Sequence, residues 1–302
     1  MSTIRAVAQV PSDANFLPPV RRRWDDRAVN VDESRADEPS ADEPSADEPS
    51  AGLSADEPSA DQVRAGLARH VDADRAAGLA QFFQTQPGGY GEGDVFIGLT
   101  VPQVRAVAKQ YAHLPLAEIR DLLDDVEHEH RLAALVIAVE AHRRASKTRT
   151  QDPALQQRLH ALYLDALHAG CVDNWDLVDI SAETLVGAHA LRFPDAVATR
   201  EALVADESLW RRRAGIIATF AATKAGDPAP TFAAATAVLD DRRDLVQKAT
   251  GWMLREVGKR ISTDLLVQYL FEHAPEMGRT CLSYATERVD PAIRSQLRAL
   301  RP

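Results

Sequence analysis

Apolar residues recur at helical spacing from about residue 62 to the end of the chain, and no convincing stretch alternates apolar and polar residues. Because amphipathic helices show the first pattern and half-buried strands the second, the body is predicted to be all-α. Aromatic residues make up only 6% of the chain, which also favours packed helices over a β-sandwich. The spacing predicts helices at about 102–112, 127–144, 154–168, 174–191, 195–204, 208–224, 230–239, 243–259, 262–273 and 290–299.

Three tryptophans suggest how these helices are arranged. Trp175, Trp210 and Trp252 lie about 35 and 42 residues apart, which is close to the length of a two-helix repeat of the HEAT type. Stacked helix pairs bury one continuous core and leave an extended concave surface. The sequence therefore predicts one all-α domain over residues 62–302, built as a HEAT-like helical repeat solenoid with a concave face.

The first 61 residues have a different composition. The sequence ADEPS occurs there four times, at 36–40, 41–45, 46–50 and 55–59. Repeats of acid, proline and serine bury too little apolar surface to offset the entropy lost on ordering. Residues 1–61 are therefore predicted to be a disordered acidic tail. The tail holds −8 of the net charge of −10, so the body is near neutral and has room for a basic face.

Several classes of protein are disfavoured. Cys171 and Cys281 are far apart and form neither a disulfide framework nor a metal motif. His128 and His130 are two residues apart, which does not place two ligands on one helix face, so no zinc site is expected. No apolar run approaches the roughly 18 residues of a membrane span, and charges interrupt the N-terminus at once. We expect a cytoplasmic protein without metal or cofactor.

The segment NWDLVD, residues 174–179, places an indole beside an acid. Trp175 and Asp179 are four residues apart and share a helix face, and no Lys or Arg lies near them in sequence. Arg213 precedes the apolar Ile216 and Ile217 by three and four residues, so it is predicted to face inward. A contact between Asp179 and Arg213 would either be a structural ion pair or hold the acid ionised in a site. The sequence leaves both alternatives open.

Three motifs, in this order, carry a resemblance to a known family: NWDLVD, WRRRAGI and QKATGWMLREVGK. The segments VFIGLTVPQVRAVAK (95–109) and HEHRLAALVIAV (128–139) add to it. Over about residues 80–290 the chain resembles the DNA alkylation repair family of HEAT-like-repeat DNA glycosylases, the AlkD-like proteins. The acidic repeat tail departs from that family, and the body is less basic than that of a usual DNA binder.

The resemblance implies a function and a site. Trp175 and Trp252 match the tryptophans that contact the lesion, Asp179 the catalytic aspartate and Arg213 the active-site arginine. Tyr90 matches a tyrosine in the wall of the cleft. The concave surface is expected to grip the DNA backbone through cationic side chains, with these candidates: Arg212, Lys248, Arg255, Lys259 and Arg260.

The implied activity is monofunctional hydrolysis of the N-glycosidic bond of cationic N3- or N7-alkylated purines in double-stranded DNA. We expect a monomer that joins the nucleoid when bound to DNA. A non-catalytic HEAT-repeat binder of DNA or protein is the alternative, and an adaptor that acts through the acidic tail is a third hypothesis. The joint presence of Trp175, Asp179, Arg213 and Trp252 favours the enzyme. An acid that faces phosphates would only lower the DNA affinity of a protein without catalytic activity.

Overall fold

A computed structural model describes residues 57–300 of the chain, and these residues are helical apart from their connections. Within this range no strand occurs, and a single isolated bridge joins Val95 to Glu127. The prediction of an all-α body is confirmed. Disorder was predicted for residues 1–61, and residues 1–56 of this tail lie outside the described range.

The α-helices are, in chain order, Ala60–Ala68 (α1), Ala73–Phe82 (α2), Val101–Ala108 (α3), Leu116–Leu123 (α4), His128–Ala145 (α5), Pro153–Ala169 (α6), Trp175–Ala182 (α7), His189–Arg192 (α8), Ala196–Ala205 (α9), Leu209–Ala218 (α10), Phe220–Lys224 (α11), Ala229–Ala237 (α12), Asp244–Arg260 (α13), Thr263–His273 (α14), Arg279–Ala285 (α15) and Pro291–Ala299 (α16). Short 3₁₀ turns at Lys109–Tyr111 and Thr148–Thr150 and a π-helical turn at Glu183–Ala188 complete the set.

Five helices form one continuous row, in which α5 contacts α7, α7 contacts α10, α10 contacts α13 and α13 contacts α15. Helices α4, α6, α9, α12 and α14 pack against members of this row. The apolar core lies between the two sets of helices and includes the fully buried Leu135, Leu177 and Ile216. The alternation of row helices and packed helices is consistent with a helical-repeat solenoid.

Glycines allow two close approaches between neighbouring helical segments. A Cβ atom at Gly251 of α13 would lie 2.4 Å from the carbonyl oxygen of Cys281 in α15. A Cβ atom at Gly187, in the π-helical turn, would lie 2.1 Å from the carbonyl oxygen of Ala218 in α10. Both distances are too short for any larger residue unless the backbone shifts. The helix predicted over 174–191 consists of α7, the π-helical turn and α8. Gly187 lies in the π-helical turn, where α10 comes close.

The first helix begins directly after the last ADEPS repeat, whose serine is its N-cap. The Ser59 hydroxyl accepts a hydrogen bond from Gln62 N (3.4 Å), and Gln62 Oε1 accepts one from Ser59 N (3.2 Å). This reciprocal capping box satisfies two amide groups of the first turn. Ala60 N also donates to Glu118 Oε2 of α4 at 2.7 Å. The helical body thus starts two residues before the predicted boundary at residue 62.

Three buried imidazoles meet behind the π-helical turn. His142 Nε2 lies 3.4 Å from His189 Nδ1, and the rings of His160 and His189 stack with centroids 4.0 Å apart. Burial lowers the pKa of His142 to about 4 and that of His189 to about 3, and it also lowers the pKa of His160. All three imidazoles are therefore neutral in the folded protein near neutral pH.

This cluster predicts a loss of stability on mild acidification. Each of these histidines has an unfolded pKa near 6.5 and a lower folded pKa, so below pH 6.5 the unfolded chain binds the extra protons. Between pH 7 and pH 5.5 His142 and His189 should each reduce the free energy of unfolding by about 1 kcal/mol, because their folded pKa values lie below this range. The His189→Leu variant, measured by urea unfolding at both pH values, should lose less stability than wild type on acidification. Equal losses in the two proteins would contradict the assignment.

Candidate active site

A cleft of about 790 Å³ opens along the row of helices and the segment that follows α2. Its lining combines aromatic rings, cations and two acids: Phe82, Gln84, Tyr90, Trp175, Asp179, Leu209, Arg213, Arg243, Asp244, Leu245, Lys248, Trp252, Arg255 and Tyr284. All four residues predicted for the reaction are in this set, together with three of the predicted DNA-binding residues. Four row helices, α7, α10, α13 and α15, therefore converge on one site.

The start of α7 fixes two of these side chains. Asn174 is the N-cap residue, and its side chain accepts a hydrogen bond from the amide of Trp175 at 2.9 Å. Trp175 therefore occupies the first turn of α7, and Asp179 follows one turn later on the same face. The shared face predicted from their spacing is the face that lines the cleft.

Asp179 and Arg213 form a two-pronged ion pair. Arg213 Nε donates to Asp179 Oδ1 at 2.9 Å, and Nη2 donates to Oδ2 at 2.8 Å. The third nitrogen, Nη1, donates to the carbonyl oxygen of Leu245 in α13 at 2.5 Å. One guanidinium thus joins α7, α10 and α13. The inward orientation predicted for Arg213 is correct, since its side chain is only 5% exposed.

The charge state of Asp179 reflects opposing influences. Burial raises the pKa of this carboxyl above its usual value, and the charge of Asp176 adds to the rise, while the charge and hydrogen bonds of Arg213 act against it. Both oxygens accept a hydrogen bond from the guanidinium, which suits the ionised carboxylate. The cleft therefore holds a carboxylate that is fixed in position and still 17% exposed.

Aromatic rings form the wall on the α7 side. The indole of Trp175 stacks on Phe83 with centroids 5.2 Å apart and planes 12° apart. Phe82 meets the edge of Trp175 at 6.3 Å and is itself 64% exposed. Phe82 and Phe83 were not predicted as site residues, although their position shortly before Tyr90 was an available signal. An exposed phenylalanine at the mouth of a cleft is a ready contact for a flat ligand.

The α13 wall of the cleft carries cations. Lys248 Nζ lies 2.7 Å from Asp244 Oδ2, and Arg255 pairs with Glu287. Tyr90 donates its hydroxyl hydrogen to the carbonyl oxygen of Phe82 at 3.1 Å. Arg243, which was not predicted, also lines this wall. Since Lys248 and Asp244 are exposed enough to exchange partners, an anionic ligand competes directly for this lysine.

The other three predicted DNA-binding residues lie outside the cleft lining. Arg212 Nη1 donates to the buried Asp241 at 2.5 Å. Arg260 Nε donates to Glu256 Oε2 at 2.8 Å, and Lys259 Nζ lies 3.8 Å from the same oxygen. The side chains of Lys259 and Arg260 are about two-fifths exposed. Their role in binding remains a prediction.

The two histidines of the HEH segment face different partners. His128 lies between Asp94 and Asp176, whereas His130 Nδ1 lies 2.9 Å from Asp125 Oδ2. His130, Asp125 and Glu127 bring one nitrogen or oxygen atom each within 4.8 Å of one another. Arg64 Nε, at 2.8 Å from Asp125 Oδ2, already provides a cation there.

In the described part of the chain, no helix combines the length and apolar character needed to cross a membrane. No curated protein matches the chain at a significant level. A solved structure described as a predicted DNA alkylation repair enzyme from Enterococcus faecalis is similar, with a TM-score of 0.57 and 17% sequence identity. The similarity covers 74% of this chain and 98% of that one, and it shows a shared fold.

The sequence profile of a family described as DNA alkylation repair enzyme matches residues 63–289. The matched range contains the whole cleft, from Phe82 to Tyr284, and spans most of the chain. This protein therefore belongs to the DNA alkylation repair enzyme family.

Proposed function

We propose that the protein is a monofunctional DNA glycosylase that hydrolyses the N-glycosidic bond of N3- or N7-alkylated purines in duplex DNA. The observation that carries this proposal is the partly exposed Asp179, whose two oxygens accept hydrogen bonds from Arg213 in a cleft that Trp175 and Trp252 also line. Such a carboxylate suits a substrate that is cationic before the reaction and a sugar that becomes cationic during it.

The chemistry needs few groups. Alkylation gives the purine a positive charge, so the base can leave with the electron pair of the C1′–N bond and depart neutral. The sugar then passes through an oxocarbenium-like state, and water adds at C1′ and releases one proton to the solvent. Asp179 would stabilise the positive sugar and orient the water, and fixed charges of this kind need no reorganisation during the reaction. Trp175 and Trp252 would add cation–π stabilisation of about 0.5–2 kcal/mol each.

DNA would be held mainly through its backbone. Lys248, Arg255 and Arg243 line the cleft, and Lys259 and Arg260 lie at the end of the same helix as Lys248. Cationic lesions are already activated, so the base need not be rotated fully out of the stack, as most base-modifying enzymes require. We propose that the lesion stays in or near the duplex, with the double-stranded DNA against the row of helices.

Release of a methylated base from DNA tests this proposal. The protein is incubated with duplex DNA that carries one 7-methylguanine, and the released base is measured by chromatography. Release supports the glycosylase. Tight binding without release supports the non-catalytic alternative. A protein that only binds DNA could tolerate Asp179, because Arg213 neutralises its charge and so reduces its repulsion of phosphates.

Removing the negative charge of Asp179 should abolish most of the activity. The Asp179→Asn variant keeps the size of the side chain but cannot stabilise a positive sugar, so single-turnover release should fall about 10²–10³-fold. Asp206→Asn is the matched control, because Asp206 is similarly exposed and pairs with Arg211 at 2.8 Å outside the cleft. Release is measured well below the melting temperature of each protein. A folded Asp179→Asn protein that works at the wild-type rate would remove Asp179 from the reaction.

Removing the arginine should separate stability from chemistry. The Arg213→Met variant leaves a buried carboxylate without its cation, which should lower the free energy of unfolding by about 3–5 kcal/mol. The double variant Asp179→Asn/Arg213→Met has no uncompensated charge and should recover most of this loss, yet remain inactive. Urea unfolding and base release on all three proteins test both statements. A double variant whose loss of stability equals the sum of the losses in Arg213→Met and Asp179→Asn would show that the pair is not coupled.

Binding to duplex DNA should weaken steeply with salt and show little sequence preference. Each phosphate contact adds about 0.9 to the slope of log affinity against log salt. The Lys259→Ala variant should reduce that slope by about one contact. Arg298→Ala, an exposed change on α16 outside the row, should not alter it. An affinity that does not respond to salt would favour the protein-partner alternative.

A further inference from the structure

A column of stacked rings runs from the wall of the cleft into the protein interior. Trp175 stacks on Phe83, and Phe83 stacks on Phe96 with centroids 4.8 Å apart. Phe96 in turn stacks on His128, with centroids 4.3 Å apart and planes 25° apart. The column therefore connects the cleft wall to a histidine at the start of α5 that is fully buried.

Both nitrogens of this histidine face carboxylates. His128 Nδ1 lies 2.7 Å from Asp94 Oδ2, and Nε2 lies 2.9 Å from Asp176 Oδ2. A neutral imidazole has one donor and one acceptor nitrogen, so it would set a lone pair against one of the two carboxylates. Only the imidazolium donates at both positions. Burial disfavours this charge, but the hydrogen bonds to Asp176 and Asp94 prevail and raise the pKa of His128 to about 9.

The other charged groups around His128 are also paired, and they fix the same piece of chain. Arg131, one turn along α5, donates to Asp94 and, at 2.5 Å, to Asp173 Oδ1. Asn174 donates its side-chain amide to Asp94 Oδ2 at 3.0 Å. The sequence neighbours of Trp175 are thus held in place. Arg131 binds Asp173, Asp94 binds Asn174 and His128 binds Asp176.

We propose that His128, as a buried imidazolium, is a positioning residue that sets the orientation of Trp175 in the cleft. It acts from two sides: its bond to Asp176 holds the first turn of α7, and its ring supports the aromatic column behind the indole. The charge of Asp176 raises the pKa of Asp179, and a positive charge on His128 limits this effect because it neutralises Asp176. The consequence for base release rests on the proposed function, whereas the orientation of Trp175 is a property of the free protein.

The test uses fluorine NMR on the full chain labelled with 5-fluorotryptophan, with the Trp175 signal assigned through a Trp175→Phe variant. In the wild type this signal should shift between pH 7 and pH 10 with a midpoint near 9, as the imidazolium loses its proton. A signal that stays constant over this range would overturn the proposal.

Variants show whether this transition belongs to His128. Asp176→Asn removes one of the two carboxylates and should move the midpoint to lower pH by about one unit or more. A midpoint unchanged by this variant would overturn the proposal, and this measurement does not depend on removing His128.

His128→Asn and His142→Asn provide a matched pair, since both histidines are buried on α5. Both variants should melt earlier than wild type. Only His128→Asn should displace the Trp175 signal at pH 7 and abolish the alkaline transition. It should also slow single-turnover base release about tenfold or more, as expected for a misplaced contact group.

If the two variants displace the Trp175 signal equally, or neither does, His128 is merely structural and the proposal fails. If the NMR results are as expected and no form of the protein releases base, the positioning role stands and the glycosylase proposal fails.

Discussion

The ion pair between Asp179 and Arg213 is the interaction on which the candidate site depends. A carboxylate in this position is tolerated only if a cation and hydrogen-bond donors meet it, and α10 supplies both through one planar guanidinium. The same guanidinium reaches the backbone of α13 at Leu245, two turns before Trp252. Three of the four helices that line the cleft are therefore joined by one side chain, and the distances between them set the width of the cleft.

The pairing also constrains how DNA is attracted. Asp179 and Arg213 together are neutral, and residues 62–302 carry a net charge of only −2. Long-range attraction by bulk charge is therefore weak. Exposed cations at the edge of the cleft must act at short range, within the Debye length of about 8–10 Å. A positive lesion, by contrast, meets a carboxylate whose charge is fixed at the point of contact.

Much of this site could be predicted from the sequence, because its main elements are local. Trp175 and Asp179 lie one helical turn apart, and Ile216 and Ile217 define the buried side of α10 that Arg213 shares. The contacts of His128 could not be predicted, because Asp94 and Asp176 lie 34 and 48 residues away and no periodicity links them. Short helices such as α4 and α15 were missed, since seven or eight residues hardly show a period of 3.6.

The capping serine of the first helix has an evolutionary consequence. Each ADEPS unit ends in serine, and in the last unit this serine caps α1 immediately before Ala60. Gain or loss of whole five-residue units by replication slippage upstream would leave the same serine at the junction. The length of the tail can therefore drift between generations while the first turn of the folded body keeps its cap.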